Sequence, residues 1–145
     1  MRTSFKYISI IALVFSVTFI SCQKDETPSN NPTGSTTDVR ERYTGTWTAS
    51  ESSQIYGQTT YQVNIKKAPN DNNQVIIENF YNLGFTNAVY GIMSNNNTAL
   101  LINQQSVSGQ AISGNLTIYT TNDIRGTFNA NDGSGTDNVS VNFTR

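Results

Sequence analysis

The sequence predicts an all-β domain: a small antiparallel up-and-down barrel of about eight strands, with a two-sheet β-sandwich as the alternative. Three observations lead there. Apolar residues recur with a period of two from Gly45 onward. Turn signals rich in Asn and Gly separate these runs at roughly 8–12 residues. Charged residues make up 13% and hydrophobic residues 36% of the 145-residue chain. The balance is largely Asn, Thr, Ser, Gly and Gln, which suits strands wetted on one face.

The chain opens with Arg2 and Lys6, then an apolar or small stretch from Tyr7 to Ile20. A positive n-region followed by an apolar h-region is a secretory signal. The stretch is shorter than the roughly 20 residues of a spanning helix. It ends at Phe19-Ile20-Ser21-Cys22, which resembles a bacterial lipobox despite Phe19 in place of the usual Leu. The resemblance implies that residues 1–21 are a lipoprotein signal peptide and that Cys22, the only Cys, carries the lipid. Two or three acyl chains anchor a protein durably, at about 0.8 kcal/mol per buried CH₂. Gln23-Lys24-Asp25-Glu26 is similar to the acidic export signal of Bacteroidota surface lipoproteins. That similarity implies a surface-exposed, lipid-anchored protein of the cell outer membrane. Cleavage before Cys22 removes Arg2 and Lys6 and no acid, leaving a mildly acidic mature chain.

Residues 22–42 read as the lipidated Cys, a tether and a short lead-in turn. Pro28, Pro32, Gly34 and a cluster of Ser and Thr give the tether no apolar periodicity. Val39 to Tyr43 can form a helical turn with Asp38 as its N-cap. It is too short to stand alone.

Residues 43–145 form the predicted β domain. Tyr61, Val63 and Ile65 share one phase, as do Leu116 with Ile118, Ile124 with Gly126 and Phe128, and Val139 with Val141 and Phe143. In the segment around Glu78 the preferred phase buries Val75 and Ile77 and leaves Glu78 in water, because an unpaired buried acid is costly. Turns are expected at Pro69–Asn73, Asn95–Asn97, Gly114-Asn115, Thr121–Asp123 and Asn131–Gly135. Bulky residues expected to fill the interior are Tyr61, Phe80, Tyr90, Phe128 and Phe143. Sequential hairpins favour closure into a barrel, which leaves no open edge.

Tyr43-Thr44-Gly45-Thr46-Trp47 resembles the Gly-x-Trp start of calycins, the lipocalin, fatty-acid-binding and avidin-like barrels. The resemblance implies a lipocalin-like barrel closed at one end by Trp47. It also implies an Arg lying over that ring: Arg145, with Arg125 as the alternative.

Composition narrows the chemistry. Nine cationic against ten acidic side chains give a formal charge of −1, so there is no basic excess for nucleic acid. The absence of His removes Ser-His and Cys-His catalysis and the His-containing zinc sites. Glu51, Asp71, Glu78, Asp123, Asp132 and Asp137 lie mostly in turns, apart from Glu78, so no facing carboxylate pair suggests glycoside hydrolysis. Asn129, Asn131, Asp132, Asp137 and Asn138 lack EF-hand spacing and read as a hairpin with Asx turns. We therefore expect no catalytic residues, no metal, no cofactor and no enzymatic activity.

Tyr56, Tyr61, Tyr81, Tyr90 and Tyr119, where exposed beside Asn and Gln, are the remaining binding candidates, with Tyr61, Tyr90 and Tyr119 foremost. Cross-strand packing is the competing reading of these rings. The sequence thus points to an outer-membrane-anchored, non-enzymatic binding barrel. Its partners are the membrane, through the lipid, and a small apolar ligand, a glycan or an envelope protein. The alternative is a structural or interaction module of the envelope: a complex subunit, adhesin or protease inhibitor.

Overall fold

The computed structural model describes residues 37–145. The signal, lipidation and export assignments on residues 1–26, and the tether as far as residue 36, lie outside the described residues. A 3₁₀ turn at Val39–Arg42 comes first, with the Asp38 carboxylate accepting from the backbone N–H of Arg40. Eight strands follow: β1 (Gly45–Ser53), β2 (Gly57–Lys67), β3 (Gln74–Glu78), β4 (Ala88–Met93), β5 (Ala99–Val107), β6 (Gln110–Thr120), β7 (Asp123–Asn131) and β8 (Thr136–Thr144). Each pairs antiparallel with its neighbours in sequence, and β8 pairs with β1 to close the barrel. The protein is therefore an up-and-down barrel rather than a sandwich.

Alternation fixes which face points inward. On β1, Trp47, Ala49 and Glu51 are buried between exposed neighbours. On β8 the buried positions are Asp137, Val139, Val141 and Phe143. Val75 and Ile77 are buried and Glu78 faces the outer wall, where Lys66 and Asn64 donate to its carboxylate at 2.6 and 3.0 Å. Inside, Phe80 packs on Phe128 and Phe143 with ring centroids 4.5 and 6.3 Å apart. Burial of each such ring contributes roughly 1.5–3 kcal/mol.

The two ends of the barrel differ. At the closed end, the Trp47 indole donates to the carbonyl of Tyr43 at 2.7 Å, and the Arg145 guanidinium lies 4.1 Å over the Trp47 ring. Arg145 also donates to the carbonyls of Thr44 and Thr121, tying the lead-in to the β6–β7 turn. Arg40 donates to the carbonyls of Ala68 and Asp71 and so holds the β2–β3 connection at this end. The opposite end is the mouth. There the β1–β2 turn, the β3–β4 connection and the β7–β8 turn meet.

Two expectations need correction. Gly114-Asn115 is not a turn but lies within β6, where Gly114 pairs with Phe128. A Cβ on Gly114 would overlap the Phe128 side chain and the Thr127 carbonyl, so the glycine serves close strand approach. The β5–β6 turn is at Ser108-Gly109, both with positive φ (51° and 81°). Tyr90 was expected inside. It faces outward and is 47% exposed, because the inward positions of β4 are Val89, Gly91 and Met93.

Candidate functional site

The mouth collects polar groups on an otherwise apolar inner wall. The alternation of β1 carries Glu51 and then Ser53 inward beyond Trp47 and Ala49. The alternation of β8, traced back one step from Val139, carries Asp137 inward. Both acids are more than nine-tenths buried, at 6% and 2% exposure. The expectation that the acids other than Glu78 lie mostly in turns therefore fails for these two, which lie on strands. The apolar phase of each strand continues through an acid at the mouth, and that continuation was visible in the sequence.

Asp137 is fully occupied by donors. Its Oδ2 accepts from Ser53 Oγ at 2.6 Å and from the Tyr81 hydroxyl at 2.7 Å. Its Oδ1 accepts from the backbone N–H groups of Gln54 and Ile55 at 3.0 and 3.2 Å. Burial pushes its pKa up, but these donors outweigh it and hold the carboxyl below the usual carboxylate range. Glu51 differs. Its Oε1 accepts from the Tyr61 hydroxyl, and no donor among the described residues reaches Oε2. Burial pushes its pKa up to about 7; the Tyr61 bond pulls the other way and the charge of Asp137 adds to the rise.

Over these groups sits the β3–β4 connection. Asn79, Tyr81 and Asn82 all have left-handed φ, at 60°, 56° and 55°. Asn accepts this conformation readily; a Tyr there costs on the order of 1 kcal/mol. The surroundings impose it. Asn79 Nδ2 donates to the Gln62 carbonyl at 2.7 Å, its Oδ1 accepts from the Gly84 N–H at 2.6 Å, and Asp137 anchors the Tyr81 hydroxyl. The flip at Asn79 turns Phe80 down into the barrel as a plug, although Phe80 shares its sequence phase with outward-facing Glu78. Tyr81 stays at the rim, with its ring 5.5 Å from Phe128 and 6.4 Å from Tyr56.

Between plug and wall lies a half-open recess of about 290 Å³, lined by Glu51, Ser53, Tyr56, Thr59, Tyr81, Asn82, Leu83 and Gln110. The sequence candidates distribute unevenly around it. Tyr61 reaches this end of the barrel through its bond to Glu51. Burial and the neighbouring Glu51 charge raise the Tyr61 pKa far above the ordinary phenol range. Tyr90 lies on the outer wall, where its backbone N–H and C=O both pair with the Gln105 side-chain amide at 2.9 Å. Tyr119 is 63% exposed, with Arg125 5.2 Å over its ring. Trp47 and Arg145 are at the closed end, away from the recess. Cys22, Gln23, Lys24, Asp25 and Glu26 are outside the described residues. Glu51 and Asp137 are the mouth residues that the sequence did not single out as binding candidates, whereas Tyr56 and Tyr81 belong to its wider set of tyrosines.

No family profile and no curated protein matches the chain significantly. Solved structures do share the fold. The chain EF1p2_mFAP2b, bound to DFHBI, is similar with a TM-score of 0.51 and 11% identity, over 74% of this chain and 97% of that one. A redesigned β-barrel, b11L5F_LGL, is similar with a TM-score of 0.50 and 12% identity, over 74% of this chain and 95% of that one. The protein thus belongs structurally among small eight-stranded antiparallel β-barrels.

Proposed function

We propose that this protein is a lipid-anchored, non-enzymatic binding barrel of the bacterial outer membrane, which takes a small ligand at its mouth. The observation that carries the binding reading is the recess of about 290 Å³, where a buried carboxyl presents an oxygen with no protein donor. Ligand sites combine a concave surface with a few converging polar groups, as this mouth does. The barrel interior is filled by Trp47, Phe80, Phe128 and Phe143, so binding belongs to the rim rather than to a deep cavity. The similar barrel that holds DFHBI supports a ligand role for a barrel of this size.

Anchoring rests on the sequence: the n-region, the h-region ending at Ser21-Cys22, and the acidic stretch after it. Surface exposure rests on Gln23-Lys24-Asp25-Glu26. Cys22→Ala is expected to abolish palmitate labelling and membrane retention; a variant still labelled and retained overturns the anchor. Protease added to intact cells is expected to remove the domain, and full protection would place it on the periplasmic face. Native mass spectrometry of chain isolated from its host without denaturant is expected to show a small adduct. Ser53→Trp, which fills the recess, should remove it. An adduct that survives Ser53→Trp would move binding elsewhere.

One observation favours an interaction module as the second reading. On the outer wall, Ile76 pairs with Tyr90 and Ile92 with Leu101, forming an apolar patch in which Tyr90 and Leu101 are 47% and 43% exposed. Such a patch suits an envelope protein or glycan partner. Tyr90→Ser with Leu101→Ser is expected to abolish co-purification of a partner if this reading holds.

A further inference from the structure

We propose that the ligand of the mouth recess is a small organic ammonium ion, held by Glu51 between the rings of Tyr56 and Tyr81. This rests on the reading of the recess as a binding site and names what that site selects.

Charge distribution is the first support. Among the described residues, Asp38 pairs with Arg40 and Lys67, Glu41 with Lys67, Glu78 with Lys66, and Asp123 with Arg125. Asp71 and Asp132 cap their own turns through the N–H groups of Asn73 and Ser134. Arg42 and Arg145 donate to carbonyls at the closed end. Glu51 and Asp137 are the two acids left, both at the mouth and both without a cation. A buried carboxylate without one is destabilised unless something positive reaches it.

Geometry is the second support. Glu51 is 6% exposed and lines the recess, and its Oε2 has no donor among the described residues. Asp137 has no vacant lone pair facing a strong donor; it adds charge and fixes Tyr81. Aromatic faces supply the third support. Tyr56 and Tyr81 line the same recess, with ring planes inclined at 57°. Aromatic faces attract ammonium groups, and more strongly when the cation is desolvated. One accessible carboxylate oxygen and two rings suit an alkylammonium better than a metal ion, which needs several oxygen ligands.

Protonation of Glu51 then competes with the ligand. The groups facing it are Tyr61 on β2, Tyr81 on the plug, Asp137 on β8 and Tyr56 in the β1–β2 turn. Burial first, and then the bond to Asp137, hold Tyr81 above the phenol range; Tyr61 is raised as well. Asp137 is held low. Between pH 6 and 8, Glu51 is therefore the group that changes charge among those whose shifts are resolved. With its pKa at about 7, the ionised fraction rises about tenfold over that range.

The test is an amide-resolved NMR titration of the full chain in mild detergent. The probes are n-butylammonium chloride and, as its neutral counterpart, 1-butanol. Butylammonium is expected to shift the amides of Ser53, Tyr56, Tyr81 and Asn82, with affinity rising about tenfold from pH 6 to 8. 1-Butanol should bind at least tenfold more weakly. Glu51→Gln, which keeps an acceptor for Tyr61, should weaken butylammonium at least fivefold and flatten the pH profile. Tyr56→Leu, at a largely exposed position, should weaken it severalfold without altering the fold. Equal binding of alcohol and ammonium at the recess, unaffected by Glu51→Gln, overturns the ammonium proposal but leaves the recess as a site. Absence of shifts with either probe overturns the proposal too. The native adduct then judges the recess reading by itself: a neutral adduct lost in Ser53→Trp preserves it.

Discussion

Replacing Glu51 by Gln should stabilise the empty barrel, and the gain should grow with pH. The carboxyl ionises near pH 4.5 in an unfolded chain and near 7 in the folded barrel. Below pH 4.5 it is protonated in both states and contributes no difference. Between 4.5 and 7 the unfolded chain releases its proton while the barrel retains it, so stability falls. Above 7 both states are ionised and the full penalty persists, at about 3 kcal/mol for a shift of this size. Gln preserves the acceptor for Tyr61 and has no charge to bury. We therefore expect Glu51→Gln to be neutral near pH 4 and more stable by about 2–3 kcal/mol at pH 8, or about 10 °C in Tm for a domain of this length. Urea unfolding followed by Trp47 fluorescence at the two pH values gives the difference directly. Any acid loss from Asp137 is common to both proteins and cancels. An equal difference at both pH values, or a loss at pH 8, would refute the assignment of a buried, cation-free carboxyl.

Asp137→Ala should cost about 3–5 kcal/mol in chemical denaturation, because it strips the acceptor from Ser53, Tyr81 and the N–H groups of Gln54 and Ile55. It should also speed hydrogen exchange across the β3–β4 connection ahead of the strands. Gly126→Ala should cost about 3 kcal/mol or more, since its Cβ would overlap the Asn115 carbonyl oxygen and the Leu116 backbone. Thermal melts of this variant beside Gly135→Ala, which meets nothing within 4 Å and has no left-handed φ, separate that overlap from general loss of glycine. Arg145→Ala should cost about 1–2 kcal/mol and shift Trp47 emission, from loss of the stacked cation and its bonds to the carbonyls of Thr44, Thr121 and Arg42. Arg145→Lys should recover only part of this, lacking the planar fork.

The barrel itself was legible in the sequence for a simple physical reason. A period of two with one buried face is a backbone property, and it organises the strands from β1 to β8, slipping in β5 where the register shifts between Ile102 and Gln105. Closure by Trp47 was suggested by Gly45-Thr46-Trp47, and the indole does sit at one end under Arg145. Positions where local and tertiary demands diverge were read less well. Gly114-Asn115 has the form of a hairpin turn, yet close packing against Phe128 needs that glycine inside a strand. The bulk of Tyr90 suggests interior filling, whereas its strand phase turns it outward.

The candidate site was the least legible part. Acids are normally excluded from a core, so the expectation that those other than Glu78 lie mostly in turns passes over Glu51 and Asp137, which lie in phase with apolar neighbours. Their placement depends on donors distant in sequence: Tyr61 for one, Tyr81 and Ser53 for the other. The left-handed flip at Asn79 that brings Tyr81 over the mouth has no signature in hydrophobic periodicity.

A crystal structure of the chain taken from its host without denaturant and without added ligand tests the binding claim most directly. Density for a small molecule is expected in the recess, beside Tyr56 and Tyr81 and against the Glu51 carboxyl. A ligand seated on the outer wall beside Tyr90, or a recess sealed by the two tyrosine rings, would contradict it.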